Sequence, residues 1–262
     1  MSEEKEIILS HLGNDVYEIL LNRPERMNAL GVATVAALEQ AVVEAAAKHA
    51  RVLLLRGSGR AFCTGADLKE RKSMDLAARL THNAGIRAAI DAVARAKCVT
   101  IAVLNGVAVG GGLELALGCD LRFAAAGISI GLTESRVGAF PGAGGSQRLP
   151  RLIGASRAMH MMFTGEPVTS EYAHSIGLVN ELVPADDLQA HVLAFAEKLA
   201  SRSAPALATI KQLVYQGMEL PLAAALRVER AALPEILGSA DYAEGLAAFA
   251  ERRPPKFTGI VE

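Results

Sequence analysis

The chain has 262 residues, which is enough for one large domain or for a core domain with a smaller appendage. Hydrophobic residues make up 51% of it, which supplies ample core material and excludes an intrinsically disordered chain. The 27 basic and 28 acidic residues give a net charge of -1, and this balance excludes a general attraction to nucleic acid or to an anionic membrane.

The cysteines and the N-terminal residues bear on the cellular compartment. Cys63, Cys98 and Cys119 lack the paired spacing of metal ligands, and an odd number of cysteines fits poorly with a disulfide framework. Each has apolar neighbours, so we expect reduced, buried thiols. The first residues are acidic where a signal or transit peptide would be basic. Together these features predict a cytoplasmic protein.

Strands and helices alternate in the first part of the chain. The spacing of apolar residues and turn residues predicts a hairpin closed at Gly13-Asn14, followed by a succession of strands and helices. In chain order, the predicted elements are strands at 7–11 and 16–21, a helix at 32–49, a strand at 51–56, a helix at 75–96, a strand at 99–104, a helix at 112–118 and strands at 120–125 and 128–131.

From about residue 145 the pattern is mostly helical. The exception is the segment 177–183, which predicts one more strand. Helices are predicted at 186–202, 204–217, 221–237 and 241–251. The sequence thus predicts the α/β fold class, with an α/β domain in the first two thirds of the chain and a helical tail.

The most apolar stretch, residues 99–118, is long enough to raise the question of a membrane span. It contains Asn105, Glu114 and a turn of three glycines, and lipid-facing backbone cannot be left irregular. We therefore predict a buried strand, a turn and a buried helix, with no membrane association.

Three glycines, Gly110 to Gly112, open the helix predicted at 112–118. Glycine lets a ligand approach the backbone closely, and the unpaired N–H groups of a helix N-terminus point outward with the positive end of the helix dipole. The run is suited to a developing oxyanion, or equally to a phosphate. It lacks the spacing of a dinucleotide-binding fingerprint, and tight helix–strand packing explains many such runs.

Two glutamates have unusual surroundings. Glu114 lies in the first turn of that helix among apolar neighbours, where a carboxylate is costly unless it is paired or functional. Glu134 follows the apolar strand at 128–131 and precedes a glycine-rich loop at 141–145. Both are candidate acid/base residues. The alternatives are that Glu114 caps the glycine turn or meets a buried arginine, and that Glu134 is an exposed acid paired with Arg136.

A third segment, residues 60–70, combines the end of a strand, a turn at Gly65 and a helix with Asp67 in its first turn. Its backbone N–H groups would again be presented to a ligand. Loops of this kind are common, so the segment gains interest only from its combination with the other two.

Several separated motifs resemble the enoyl-CoA hydratase/isomerase, or crotonase, superfamily, and most of all the branch that contains methylglutaconyl-CoA hydratase. The motifs are NRPERMNAL at 22–30, AFCTGADLK at 61–69, NGVAVGGGLELA at 105–116 and PGAGGSQRL at 141–149, with a further stretch at 245–255. They occur in the family's order, and the resemblance covers nearly the whole chain.

This resemblance implies a fold, an assembly and a ligand. The fold would be a crotonase-type spiral of ββα turns over residues 1–195, with a C-terminal helical trimerisation region over residues 196–262. The assembly would be a homotrimer or a hexamer formed as a dimer of trimers. The ligand would be an acyl-CoA thioester, with no metal and no cofactor other than the CoA that is part of the substrate.

The resemblance also implies residue roles. The backbone N–H groups of Ala66 and Gly111 would form an oxyanion hole, and Glu114 and Glu134 would form the acid/base pair. The residues implied to contact the substrate or its CoA are Arg26, Ala29, Ala66, Asp67, Leu68, Gly111 and Gly142, with Phe249 and Arg252 from a neighbouring subunit. A solvated face beside Arg253 is the alternative interpretation of Arg252.

Family members that only isomerise double bonds typically keep the second acid alone. Because both acids are present, we predict hydration of the 2,3 double bond of an enoyl-CoA, in fatty-acid or branched-chain amino-acid catabolism. A Δ3-Δ2 isomerase or another thioester-enolate reaction is the alternative. Side chains in residues 71–95 are expected to line the acyl end, and chain length and branching stay open.

One member of the same branch also binds AU-rich RNA through a first helix lined by lysines. Here the corresponding helix at 32–49 carries Glu39 and Glu44, with only Lys48 near its end. Neither the net charge nor the 4% aromatic content supplies a replacement. We therefore expect no nucleic-acid binding.

Overall fold

The computed structural model describes residues 5–261, which form two β-sheets covered by helices. The strands are β1 (Ile7–Gly13), β2 (Val16–Leu21), β3 (Val52–Gly57), β4 (Ala61–Cys63), β5 (Val99–Leu104), β6 (Val107–Val109), β7 (Leu121–Ala125), β8 (Ser129–Gly131), β9 (Val168–Thr169) and β10 (Glu181–Val183). The helices are α1 (Val32–Ala47), α2 (Leu68–Lys72), α3 (Leu76–Arg95), α4 (Gly111–Gly118), α5 (Gly145–Ile153), α6 (Ala155–Thr164), α7 (Ser170–Ser175), α8 (Leu188–Ala200), α9 (Ala204–Met218), α10 (Leu222–Leu237) and α11 (Ala240–Glu251).

The chain winds as a spiral because successive strands go alternately to a large and a small sheet. The large sheet has the order β1-β2-β3-β5-β7-β10, and the small sheet has the order β4-β6-β8-β9. Helices α2 and α3 follow the β3–β4 pair, and α4 follows the β5–β6 pair. Apart from the antiparallel pairs β1–β2 and β8–β9, neighbouring strands are parallel. The predicted α/β class and the spiral of ββα turns are confirmed.

The large sheet is buried on both faces. Along β3, Leu53 and Leu55 belong to the core cluster that includes residues of α1, α3 and α4. Val52 and Leu54 point the other way, into a second cluster with residues of α8. Because a parallel strand covered on both faces needs no polar side, β3 is apolar over most of its length.

The predicted boundary at 195/196 falls inside α8. This helix presents Leu188, Val192, Ala196 and Ala200 to the second core cluster at a spacing of four residues. Residues on both sides of the predicted boundary therefore pack against the same sheet. The division of the chain into a core and an oligomerisation region stays a prediction.

The structure differs from the predicted elements at several boundaries. The hairpin turn lies at Asn14 and Asp15, with φ angles of 50° and 57°, one residue later than predicted. Strands β6 and β9 are additional. The strand predicted at 177–183 is reduced to β10, because Gly177, with φ of 79°, closes α7 and the next residues hydrogen-bond back to that helix.

The apolar stretch at 99–118 is folded as β5, β6 and α4, with a turn between the two strands. Nearly all of α4 is buried. Within residues 5–261, the helices do not include one whose length and apolar character would suit a bilayer crossing. The strand, turn and helix predicted for this stretch are therefore present, with one extra short strand.

Helices α9, α10 and α11 bury few residues within the single chain, and the residues described for α10 include no buried one. Large apolar side chains remain exposed on these helices, namely Ile210, Val214, Met218, Leu222, Leu226, Leu233, Leu237, Leu246 and Phe249. An exposed apolar surface of this size is typical of interaction sites.

Candidate active site

A cavity of about 140 Å³ lies where three glycine-containing segments meet. These segments are the loop after β4, the junction of β6 with α4, and the loop that leads into α5. Of the residues predicted for the site, those that line the cavity are Ala66, Leu68, Gly111, Glu114, Glu134 and Gly142. Residues from distant parts of the sequence are thus brought together in one place.

The loop after β4 and the start of α4 approach each other backbone to backbone. A Cβ atom added at Gly65, whose φ is 80°, would lie 2.5 Å from the amide nitrogen of Gly111. A Cβ atom added at Gly111 would lie 3.5 Å from the nitrogen of Ala66. In residues 5–261, the N–H groups of Ala66 and Gly111 find no hydrogen-bond acceptor. Two unpaired donors therefore lie on facing loops at the cavity.

Glu114 is held in the first turn of α4 and is only 3% exposed. Its Oε1 accepts the N–H groups of Ala143 and Gly145, both at 2.8 Å. Burial raises the pKa of Glu114, and these two amide donors and Arg148 oppose the increase. Glu114 therefore ties α4 to the loop before α5, while its Oε2 accepts no hydrogen bond from the described part of the chain.

Glu134 begins the short 3₁₀ helix Glu134–Val137, which follows β8. Gly110 fixes this segment beside α4, since its N–H group donates to the carbonyl of Gly131 at 2.9 Å. Gly110 has φ of 56°, and a Cβ atom there would lie 3.4 Å from Oε1 of Glu134. A glycine at position 110 therefore lets the carboxyl group approach the start of α4.

The carboxyl group of Glu134 is only partly satisfied by the protein. Its Oε2 is buried and has no hydrogen-bond partner within the described residues, and no ion pair with Arg136 within 4.0 Å is found there. Burial raises the pKa of Glu134 to about 7, and the charge of Glu114 acts in the same direction. A carboxyl group in this environment holds its proton close to neutral pH.

Three of the predicted CoA contacts lie outside the cavity wall. Ala29 and Asp67 are buried, and one guanidinium nitrogen of Arg26 is buried with no partner within residues 5–261. The carboxylate of Asp67 accepts the N–H groups of Lys69 and Glu70 as the cap of α2. It also accepts a hydrogen bond from Arg23 at 3.3 Å, so its side chain is already committed to the protein.

Phe249 and Arg252 are not brought to the cavity within one chain. Phe249 lies on α11 and is 86% exposed, and Arg252, also exposed, is the left-handed residue that ends this helix. Arg253, by contrast, is paired with Glu244 and Glu251. Any contact of Phe249 or Arg252 with a ligand in this cavity would require a second chain.

Among the polar side chains of the cavity, those of Arg71 and Asn83 were not singled out from the sequence. Arg71 on α2 and Asn83 on α3 line it, and Nη2 of Arg71 donates to Oδ1 of Asn83 at 3.3 Å. The Nδ2 group of Asn83 donates to the carbonyl of Gly142, also at 3.3 Å. Both residues fall in or beside stretches that the sequence assigned to the site, but no local pattern marks either of them.

A larger groove of about 1450 Å³ lies between α9 and the body of the chain. Its wall contains charged groups that pair with one another, such as Lys211 with Asp120 at 2.9 Å and Arg148 with Asp91 at 2.6 Å. Neither Glu114 nor the unpaired amides are part of it, so its size does not make it the candidate active site.

Across residues 5–261, no group of three or more His, Cys, Asp or Glu side chains is arranged for a metal ion.

The family model described as enoyl-CoA hydratase/isomerase matches residues 11–260. A mouse relative, "Enoyl-CoA hydratase domain-containing protein 2, mitochondrial", is 39% identical over 93% of this chain and 84% of its own. Human "Methylglutaconyl-CoA hydratase, mitochondrial" is 35% identical over 99% of this chain and 79% of its own. The crystal structure of enoyl-CoA hydratase from Bacillus anthracis superimposes with a TM-score of 0.95 at 37% identity, over 97% of this chain and 100% of that one. The chain belongs to the enoyl-CoA hydratase/isomerase family.

These relatives overturn the prediction of a cytoplasmic protein. The mouse and human relatives are named as mitochondrial, as are those from cow and Arabidopsis thaliana, whereas the Bacillus anthracis structure comes from a bacterium. Proteins similar to this chain are therefore found both among mitochondrial and among bacterial proteins. The charge of a few N-terminal residues and the reduced state of three cysteines do not decide between them.

Proposed function

We propose that this chain is an enoyl-CoA hydratase, which adds water across the 2,3 double bond of an enoyl-CoA thioester. The observation that carries the proposal is that Glu114 and Glu134 line one cavity together with the unpaired N–H groups of Ala66 and Gly111. Two acids and two donors in one place are what hydration of a conjugated thioester requires.

The two amides would act on the thioester carbonyl. As water attacks the β-carbon, negative charge moves onto the carbonyl oxygen, and the N–H groups of Ala66 and Gly111 would stabilise it. Each such donor is typically worth about 3 kcal/mol in the transition state. Because α4 begins at Gly111, the positive end of its dipole acts on the same oxygen.

The two carboxyl groups would divide the proton transfers. Glu114, anchored through Oε1, would use Oε2 to take a proton from water as the C–O bond forms at the β-carbon. Glu134, with its raised pKa of about 7, would give its proton to the α-carbon. One water molecule is thereby added, and proton return from Glu114 to Glu134 restores the pair. Positioned acid/base groups of this kind contribute roughly 10²–10⁴-fold.

The test is hydration of crotonyl-CoA, followed by loss of the absorbance of the conjugated thioester. Glu114→Gln and Glu134→Gln are each expected to lower kcat by at least about 100-fold, since each removes one proton transfer. Glu39→Gln, an exposed position on α1, is the matched control and should keep the parent rate. Hydration by Glu114→Gln at the parent rate would contradict the assignment.

The alternative within the family is an isomerase that moves a double bond from the 3 to the 2 position. The same assays separate the two functions when the unmutated protein is offered 3-hexenoyl-CoA and crotonyl-CoA. Because Glu114 adds a second acid to the cavity, hydration is expected to be the faster reaction. Faster isomerisation would favour the alternative.

Residues 196–262 are proposed to form the oligomerisation region of a homotrimer or of a dimer of trimers. The exposed apolar side chains of α9, α10 and α11 support this proposal. In such an assembly Phe249 and Arg252 would approach the nucleotide end of a CoA bound to the neighbouring chain. Arg26, Ala29 and Asp67 would flank CoA within the same chain, partly through backbone atoms. Sedimentation equilibrium tests the oligomeric state.

Comparing hydration rates for different thioesters would identify the acyl group of the preferred substrate. One of the relatives is named a methylglutaconyl-CoA hydratase, and others are named enoyl-CoA hydratases without an acyl group. Values of kcat/KM for short, long and branched enoyl-CoA thioesters, including methylglutaconyl-CoA, would rank these classes.

We propose that the chain has no nucleic-acid partner. A salt-titrated RNA filter assay tests this, and tight, salt-sensitive binding would contradict it.

A further inference from the structure

Arg71 places a guanidinium group in the wall of the cavity. The residue lies on α2 and is partly buried. Its Nε donates to Nδ1 of His82 at 3.2 Å and its Nη2 donates to Oδ1 of Asn83 at 3.3 Å. Its Nη1 donates to no acceptor within the described residues. Two of the three nitrogens thus fix the group, and the third is left for another partner.

The charge of Arg71 is not neutralised by an ion pair. No carboxylate of the described residues lies within 4.0 Å of it, although the charge of Glu114 acts on it from further away. Leu68, Ile86 and Val137, which line the same cavity, are apolar. Glu114 and Glu134 line the cavity too, but neither forms an ion pair with Arg71 within the described residues, so its guanidinium group can pair with an incoming anion.

The position of Arg71 follows from a chain of hydrogen bonds that leads to Glu114. Asn83 connects Arg71 to the carbonyl of Gly142, and the next residue, Ala143, donates its N–H group to Glu114. The guanidinium is therefore tied to the loop that anchors one acid of the pair. A substrate whose reacting carbons lie at Glu114 would place its acyl chain in a cavity whose wall includes this group.

We infer that Arg71 forms a carboxylate-binding subsite, so that the preferred substrates are short 2-enoyl-CoA thioesters whose acyl chain ends in a carboxylate. This inference rests on the proposed function and specifies its substrate class. Arginine suits this role because its planar donors match a carboxylate. The hydrogen bonds to His82 and Asn83 hold the guanidinium in place before the substrate arrives, which lowers the entropic cost of binding.

The first experiment measures binding alone, with the unmutated protein in its native assembly. Isothermal titration calorimetry would compare glutaryl-CoA, the methyl ester of its distal carboxylate, and butyryl-CoA. These saturated thioesters undergo no hydration, so the result does not depend on turnover. Hydrogen bonds to charged groups predict a Kd for glutaryl-CoA about 10- to 100-fold lower than that of the ester. Equal affinities would overturn the inference.

The second experiment measures turnover with substituted proteins. Arg71→Gln is expected to lower kcat/KM for glutaconyl-CoA by about 10- to 100-fold more than it lowers the value for crotonyl-CoA, with the difference mainly in KM. Arg71→Lys keeps the charge and should recover part of the loss. The matched control is Lys72→Gln, which removes the adjacent exposed cation on α2 that does not line the cavity.

The outcomes separate the inference from the proposed function. If no thioester is hydrated but glutaryl-CoA binds tightly in an Arg71-dependent manner, the hydratase proposal fails and the subsite stands. If Arg71→Gln lowers the rates for crotonyl-CoA and glutaconyl-CoA equally, Arg71 only supports the fold of α2 and α3, and the inference is wrong. Should Arg71→Gln not fold, the comparison of glutaryl-CoA with its ester still decides.

Discussion

The carboxyl group of Glu114 lies close enough to that of Glu134 for its charge to raise the pKa of Glu134. The two groups are held in different ways. Glu114 accepts two backbone N–H groups, which favour its ionised form, whereas Oε2 of Glu134 is buried with no partner within residues 5–261. One acid and one base are therefore present together near neutral pH.

The rate of hydration should depend on the protonation states of Glu134 and Glu114. We expect kcat/KM for crotonyl-CoA to fall as the pH rises above about 7, because Glu134 then loses the proton that it donates to the α-carbon. At lower pH the rate should fall again as Glu114 becomes protonated. The two apparent pKa values belong to the coupled pair. A rate that stays constant through neutral pH would contradict the role of Glu134.

The same raised pKa makes the folded state sensitive to pH. The pKa of Glu134 is about 7 in the folded chain and about 4.5 when the chain is unfolded, so between these values the folded state binds a proton that the unfolded state lacks. The free energy of unfolding should therefore decrease as pH rises through this window, by at most about 1.4 kcal/mol per pH unit. Urea unfolding of the parent and of Glu134→Gln, compared at both ends of the window, measures it. The variant should show the smaller decrease, and equal decreases would exclude Glu134 as the cause.

Gly65→Ala should reduce activity more than its backbone strain alone explains. The added Cβ atom would lie 2.5 Å from the nitrogen of Gly111, so the loop must move away from α4 and the two amides must separate. Loss of one oxyanion donor lowers kcat by roughly 10²–10³-fold. Gly127→Ala is a matched control, because Gly127 has a similar φ of 79° but no atom within 4 Å of the added Cβ.

Positive φ should destabilise both variants by about 1–3 kcal/mol, and the clash with Gly111 should destabilise Gly65→Ala further. Only Gly65→Ala should lose catalysis in the folded protein, as measured by kcat at a temperature well below both unfolding transitions. Equal kcat values for the two variants would mean that the amides of Ala66 and Gly111 do not act together on the substrate.

Asp67→Ala should destabilise the chain more than Asp75→Ala. Both residues cap helices, but Asp75 is exposed and accepts one N–H group, that of Ala78. Asp67 is buried, caps α2 through two N–H groups and also bonds to Arg23. We expect a loss of about 1 kcal/mol at Asp75 and about 2–3 kcal/mol at Asp67, where the helix loses a cap with two N–H groups and Arg23 loses one of its three carboxylate partners. Chemical denaturation measures both, and similar losses would contradict this account.

The oligomer should depend on the apolar surface of α10. Leu226 and Leu233 are 47% and 48% exposed in the single chain, so a double substitution to Glu should leave the fold intact and dissociate the assembly. Val43→Glu, at a 63% exposed position on α1, is the control and should leave the assembly unchanged. Sedimentation velocity measures the result. Dissociation by the control alone would place the interface elsewhere.

Much of the architecture could be predicted from local patterns. The order of strands and helices, the buried character of residues 99–118 and the glycine turns all follow from hydrophobic periodicity and from the conformational preferences of glycine. Short elements were missed, such as β6 and β9, because a strand of two or three residues has no period to detect. The end of α7 at Gly177 was misread as part of a strand for a related reason, since buried turn residues and strand residues are equally apolar.

The sequence by itself determined which residues are chemically unusual, because a carboxylate in an apolar helix, as at Glu114, is visible without coordinates. Only the tertiary structure decided that Glu134 lies in the same cavity, that the N–H groups of Ala143 and Gly145 hold Glu114, and that Arg71 borders the site. The physical reason is the winding of the chain. Local periodicity reports whether a residue is buried, whereas the parallel pairing of β4, β6 and β8 decides which loops meet at one end of the small sheet.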